Sequence, residues 1–266
     1  MALLDTLKQR AEDERLPLRV ILKEALQVYT LAAIYGQPAS DRITFQGGTC
    51  LRLVYGGPRY SVDVDFVTTL STADLAGLFE QVRREVTRLA PLFGGEITLD
   101  LQKATQELTR WKVYYRAARQ QDSTSISLEL APYPAYTDHV AMLTPPAGLP
   151  ALPLVVVRAE AAEEIMADKI TAIAGRRYVK GRDVFDLWWL RGKGIEVDQD
   201  LVEKKLSDYE VQPERLRKNL AAIQPGPVQR ELENFLPHRY RVQLLQQAAL
   251  EAMVAEVKAL LEGIAP

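Results

Sequence analysis

ITFQGGTCLRLVYGGPRYSVDVDF, residues 43 to 66, is the stretch on which the reading of the fold turns. Ile43, Thr44 and Phe45 form a brief extended entry to two adjacent glycines and a threonine, Gly47, Gly48 and Thr49. Thr49 starts a helix with Leu51, Val54 and Tyr55 on its apolar side, and Gly56-Gly57-Pro58 stops it. The stretch closes on Asp63 and Asp65, which alternate with Val62, Val64 and Phe66. Successive side chains of a strand point to opposite faces, so both carboxylates leave one face while the apolar residues enter the core. Neighbouring carboxylates repel, and a divalent cation is the usual remedy. A glycine turn leading into a helix offers bare backbone N–H groups to a phosphate. Together these features predict a magnesium–nucleotide site.

Working outward, residues 3 to 14 suit a short polar helix, and an amphipathic one is expected from Pro17 to Tyr35. After the aspartates, Ser71 or Thr72 caps a helix running to about Leu89. Extended segments follow at Glu96 to Leu101, Trp111 to Ala117 and Thr124 to Ala131. Proline-rich 132–153 reads as a loop, and Leu154 to Val157 as a last short strand. From there the composition is helical: 159–175, 183–191, 198–207, 213–223 and a long closing segment from about 226 to 262. The expectation is an α/β domain over 1–157 and an all-helical domain over 158–266 that completes the nucleotide cleft.

Composition narrows the function classes. The 33 basic and 35 acidic residues leave a net charge of −2, so any polyanion contact must come from a local patch. Cys50 is the only cysteine, which excludes an intrachain disulfide and, with two histidines, argues against a zinc site. His139 and His238 sit in loop-like contexts, and no Ser–His–Asp arrangement or GxxxxGK[ST] loop is present. The opening MALLDTLKQRAEDERL is charged throughout, so no secretory signal is expected, and no run has the apolar length of a membrane span. A cytoplasmic location follows as the expectation.

A metal pair needs a third acidic ligand, and Glu129, in mid-strand among Ile126, Leu128 and Leu130, is the natural candidate; the alternative is an exposed edge-strand glutamate. Lys169 abuts the buried stripe of Ile165, Ile170 and Ile173, where it could serve a nucleotide phosphate or merely snorkel to the surface. Asp183 and Asp186 share a helical face in RDVFDLWWL. Asp183 doubles as a possible helix cap, whereas Asp186, a turn further in beside aromatic residues, needs a partner such as Arg182, Lys169 or a substrate. The basic run Arg176, Arg177, Lys180, Arg182 and the later Arg215, Arg217, Lys218, Arg230, Arg239 and Arg241 read by default as solvated surface.

The ordered blocks FQGGTCLRLVYGGPRYSVDVDF, ADKITAI and RDVFDL, with a strand glutamate between the first and second, resemble the AbiEii/AbiGii-like nucleotidyltransferase toxins, a branch of the DNA polymerase β-like superfamily. The resemblance spans roughly residues 43 to 190. It implies a polymerase β-like α/β core with a mixed sheet, and an enzyme that moves NMP from an NTP to an acceptor and releases pyrophosphate. Gly47, Gly48 and Thr49 would hold the triphosphate, with Ser61 in the same pocket. Asp63 and Asp65 would bind magnesium, two ions with manganese as a substitute, and Glu129 would be the third carboxylate. Lys169, Arg182, Asp183 and Asp186 would complete the nucleotide site. Family members act as toxins in bacterial toxin–antitoxin or phage-defence systems opposed by a cognate antitoxin, and some modify the acceptor end of tRNA. One departure is Gln46, where the family often has lysine or arginine. Two other readings keep the motifs: a protein-nucleotidylating enzyme, acting for instance as an antitoxin, and a non-catalytic nucleotide-binding module. The latter should have lost an acidic residue, and none of Asp63, Asp65, Glu129 and Asp186 is missing.

Overall fold

The computed structural model describes residues 3–118, 122–150, 152–212 and 214–264. The chain forms two compact units. The first comprises Met1–Gly56 with Tyr60–Glu160, and the second comprises Gly57–Arg59 with Ala161–Pro266. The division after Glu160 lies three residues beyond the one expected, because the last strand continues to that residue.

In the first unit α1 (Leu3–Glu14) and α2 (Leu18–Tyr35) lead through a 3-10 turn (Pro38–Arg42) to β1 (Ile43–Gln46), α3 (Gly47–Leu53) and β2 (Val64–Thr68). Next come α4 (Thr72–Thr87), the single turn α5 (Ala90–Phe93), β3 (Gly95–Ala104), β4 (Thr109–Ala117), β5 (Thr124–Ala131), β6 (Asp138–Met142) and β7 (Val156–Glu160). The strands make one seven-stranded mixed sheet in the order β3-β4-β5-β2-β1-β7-β6. β2 runs parallel to β5 and β1 parallel to β7, while the remaining neighbours are antiparallel.

Helix α2 buries residues on most of its circumference because it packs against α1, α4 and β5. Helix α4 starts at a capping box, in which Ser71 and Asp74 satisfy each other's backbone N–H groups. Its Phe79 stacks on Trp111 of β4, ring centroids 4.9 Å apart and planes within 8°.

Two expectations change here. Asp63 lies in a bend just before β2, not within the strand, which begins at Val64. The proline-rich 132–153 segment contains β6, paired antiparallel with β7 from Asp138↔Glu160 to Met142↔Val156. As an edge strand it leaves Val140 and Met142 70% and 60% exposed, so the burial alternation by which a strand is recognised is missing.

The second unit holds α6 (Ala162–Gly175), α7 (Gly181–Gly192), α8 (Gln199–Asp208), α9 (Glu214–Leu220), α10 (Pro225–Leu232), α11 (His238–Leu244) and α12 (Gln247–Glu262). Helix α6 packs on α7, α8 and α9, and α7 also packs on α10 and α12. The expected start of α9 at residue 213 lies outside the described residues. The long closing segment is three helices, because Pro237 fixes an extended backbone (φ −52°, ψ 148°) and Gln246 does the same (φ −68°, ψ 144°). No helix among the described residues is long and apolar enough to cross a membrane.

Candidate active site

The glycine turn and the aspartates meet because β1 and β2 pair antiparallel, with Gln46 opposite Asp65. Chain leaving β1 therefore turns directly beside chain entering β2. Gly47 has φ +78°, and a Cβ there would stand 2.6 Å from Asp65 Oδ2. Both the left-handed backbone and the close approach require glycine. Gly48 is buried in the first turn of α3, and the buried Thr49 donates its hydroxyl to the carbonyl oxygen of Asp63. The visible task of Thr49 is thus to fix the backbone that presents Asp63. Ser61 is buried just upstream, its carbonyl accepting from Gln27 Nε2 at 3.2 Å.

Strand register adds a row. Arg110 of β4, Glu129 of β5, Asp65 of β2 and Gln46 of β1 are successive cross-strand partners, so their side chains share one face of the sheet. Arg110 contacts Glu129 Oε1 through both Nε and Nη2, at 2.9 Å each. No other group among the described residues meets Oε2. Asp63 and Asp65 are half-exposed. Among the described residues no three acid, histidine or cysteine side chains converge into a preformed metal cage. Magnesium does not need one, since one or two carboxylates plus substrate phosphates and water are its usual shell. The carboxylates of Asp63 and Asp65 offer oxygen donors, the chemistry that a hard cation takes.

Two features of this unit were missed in the sequence. Lys23, one of two cations on the largely apolar α2, donates to the carbonyl of Ser125 and feels the charge of Asp63. Burial lowers its pKa, Asp63 pulls the other way, and Lys112 and Arg19 reinforce the lowering, so the net shift is downward. Glu24, 1% exposed, takes Arg10 on one oxygen at 2.5 Å and Arg52 on the other. The Arg52 guanidinium lies 3.6 Å from the ring centroid of Tyr60, whose hydroxyl donates to Glu14 at 2.6 Å. Since Arg52 belongs to α3, this network fixes the helix that follows the glycine turn.

In the second unit Lys169, Asp183 and Asp186 come together, with two further cations. Arg59 binds Asp186 in a fork, Nε to Oδ1 at 2.9 Å and Nη2 to Oδ2 at 2.7 Å. Lys169 Nζ lies 2.9 Å from Asp186 Oδ2 and 3.0 Å from Asp183 Oδ1, and Arg176 pairs with the other oxygen of Asp183. The charges alternate from Arg59 through Asp186, Lys169 and Asp183 to Arg176. Burial by itself would lower the Lys169 pKa, but Asp186 and Asp183 outweigh it and hold the ammonium above its ordinary value. Burial would likewise raise Asp186, yet Arg59 and Lys169 keep its carboxyl below the usual carboxylate range.

Asp183 is not the helix cap, since Lys180 occupies that position and Asp183 sits in the first turn. Arg182 is no partner of Asp186: its backbone N–H donates to Glu231 Oε2 at 3.4 Å, and its guanidinium lies over the Phe235 ring. The signal for Arg59 was its place in GGPRYS, four residues before Asp63, and the buried acid needing a cation.

The model of the family described as nucleotidyl transferase AbiEii toxin, type IV TA system, matches residues 13–261. Among solved structures, the nucleotidyltransferase toxin MenT4 from Mycobacterium tuberculosis has the same fold, with TM-score 0.65 at 20% identity over 98% of this chain and 88% of that one. JHP933 from Helicobacter pylori aligns with TM-score 0.56 at 20% identity over 94% of this chain and 93% of its own. No curated protein matches the chain. With motifs, mixed sheet and family model in agreement, the chain belongs to the AbiEii nucleotidyltransferase toxins of type IV toxin–antitoxin systems and is an NTP-dependent nucleotidyltransferase.

Proposed function

We propose that the protein transfers NMP from an NTP to the acceptor end of tRNA, acting in the cytoplasm as the toxin of a toxin–antitoxin or phage-defence pair. The observation that supports this reading is the close approach of Gly47 to the Asp65 carboxylate, where a Cβ would stand 2.6 Å from Oδ2, so that the glycine turn lies beside an acid. Asp63 and Asp65 would hold the divalent cation, and a magnesium or manganese ion there would offset triphosphate charge and make the acceptor hydroxyl more acidic.

The acceptor oxygen attacks the α-phosphorus, the bond to the β-bridging oxygen breaks, and pyrophosphate leaves. Glu129 receives the hydroxyl proton. The backbone N–H groups of Gly47 and Gly48 cradle phosphate oxygens beside Ser61, and Thr49 keeps Asp63 in place. Lys169 acts as a point charge on phosphate. Asp183 and Asp186 position its ammonium, and Arg182 adds positive charge beyond them.

The test is incubation with each of four α-labelled NTPs and total tRNA plus cell protein, with and without ribonuclease. The reading expects ribonuclease-sensitive label that disappears with folded Asp63→Ala protein. Label confined to protein bands would identify a protein acceptor and overturn the tRNA assignment. Labelling by folded Asp63→Ala protein would overturn the site.

A further inference from the structure

The segment GRRYVKGR from Gly175 to Arg182, which comprises the loop between α6 and α7 and the adjoining helix ends, carries four cations and no acid. Its base is fixed. Asn219 of α9 donates from Nδ2 to the carbonyls of Ile173, Ala174 and Arg176, at 2.7, 3.2 and 3.1 Å, which satisfies carbonyls left open at the end of α6. Arg176 is held by Asp183, the same acid that holds Lys169.

Beyond this base the loop presents Arg177, Tyr178 and Lys180 to solvent, and Tyr178 is 71% exposed. Arg177 lies 5.2 Å from the Tyr178 ring centroid and has no carboxylate partner among the described residues. Helix α9 adds exposed Arg215, Arg217 and Lys218 against a single acid, Glu214. Arg215, four residues before Asn219, shares the helical side that meets the loop.

An exposed ring on a fixed base, bracketed by cations, has no packing role to explain it. It matches what single-stranded nucleic acid needs: a face for a base to stack on and charges that follow the phosphates. We infer that Tyr178 is a stacking platform for an unpaired base of RNA, with Arg177, Lys180 and the exposed cations of α9 tracking its backbone. The inference deepens the reading of an RNA acceptor and rests on it. An acidic protein segment would use the cations but not the ring.

The experiment measures fluorescence anisotropy of a 5′-labelled single-stranded RNA oligonucleotide, the same RNA in a duplex, and a polyglutamate competitor. Wild type, Tyr178→Ala, Tyr178→Phe and the double variant Arg177→Ala/Lys180→Ala are compared, each checked for unchanged circular dichroism. Loss of the ring should weaken single-strand binding about tenfold, while Tyr178→Phe stays within about twofold of wild type. The double variant should lower the salt dependence by roughly one to one and a half in log–log slope.

Single-strand affinity of Tyr178→Ala within twofold of wild type overturns the inference. So does equal affinity for duplex, displacement by polyglutamate as effective as by unlabelled RNA, or no RNA binding by wild type. The labelling assay above separates the two failures. RNA labelling by wild type with no loss of binding in Tyr178→Ala sinks only the platform. Labelling of protein alone sinks the acceptor assignment, and a ring-dependent preference for single strands then still supports the platform.

Discussion

Replacing Arg59 by methionine removes the fork on Asp186 while keeping most of the side-chain volume. Both side chains are 4% exposed, so the loss is not screened by water. Deleting one member of a buried pair costs about 3–5 kcal/mol, because the survivor remains charged and desolvated. Asp186 keeps Lys169 at 2.9 Å, which favours the lower end, about 3 kcal/mol. That is roughly a 150-fold change in the folding equilibrium of the second unit. With a urea m-value of about 2 kcal/mol/M, the midpoint should fall by about 1.5 M. Tryptophan emission suits the titration, since Trp188 and Trp189 lie on α7 close to Asp186. The double variant Arg59→Met/Asp186→Leu removes the stranded acid together with its partner and should lose less than the two single losses added together. A loss under about 1 kcal/mol at unchanged m-value, or a double variant as unstable as the sum, would refute the claim that this pair organises the unit.

Three further outcomes follow from the geometry. Gly47→Ala should cost about 1–2 kcal/mol from its left-handed backbone and displace Asp65, so label transfer should fall at least tenfold while the melting temperature moves only a few degrees. Transfer within twofold of wild type would place the reaction elsewhere. Glu129→Gln should reduce transfer by roughly a hundredfold with little loss of stability, since its partner Arg110 is 39% exposed, whereas Arg110→Ala should reduce it far less; equal losses would make the ion pair, not the acid, the requirement.

The pH dependence of Lys169→Met has a definite sign. The Lys169 pKa is raised, so its contribution is complete below the unfolded value of about 10.4 and is lost only as pH climbs through the higher folded value. The Asp186 pKa is lowered, so its contribution is present above about pH 3.9 and lost as pH falls through the folded value. The destabilisation read from urea midpoints should therefore be flat from about pH 5 to 9 and shrink above about pH 11. A drift of more than about 1 kcal/mol between pH 6 and 9 would contradict the ion-pair assignment.

Local pattern made much of this molecule legible. The strand-turn geometry of the glycine–aspartate stretch could be read because it lies within 24 residues of contiguous sequence. Helix α1 and strand β5 have the bounds their residues predict, and Glu129 stood out as a charge amid alternating apolar residues. Partner assignment was not legible. Nothing near Asp186 in sequence names Arg59, 127 positions away, and nothing near Arg52 names Glu24. Edge strand β6 escaped for the same reason, since pairing with β7 defines it and its own burial pattern does not. Asp63 fell outside its strand because alternation predicts side-chain direction better than where pairing begins.

The four aspartates of the two motifs divide by what surrounds them. Asp183 and Asp186 are each 3% exposed and share Arg59, Lys169 and Arg176, three cations for two acids. An added metal ion would have to displace a cation already present in a buried site, so these acids suit positioning. Asp63 and Asp65 are half-exposed, and Asp65 faces a glycine whose missing side chain keeps the approach open. In the proposed mechanism identical side chains thus take different tasks from burial and counter-charge, with Lys169 as the phosphate contact. Its two acid neighbours keep it charged across the physiological range, and Arg59 and Arg176 share those acids, so their hold on the ammonium is divided. On the proposed reading, a lysine held this way stays protonated while an incoming phosphate competes with carboxylates already engaged elsewhere.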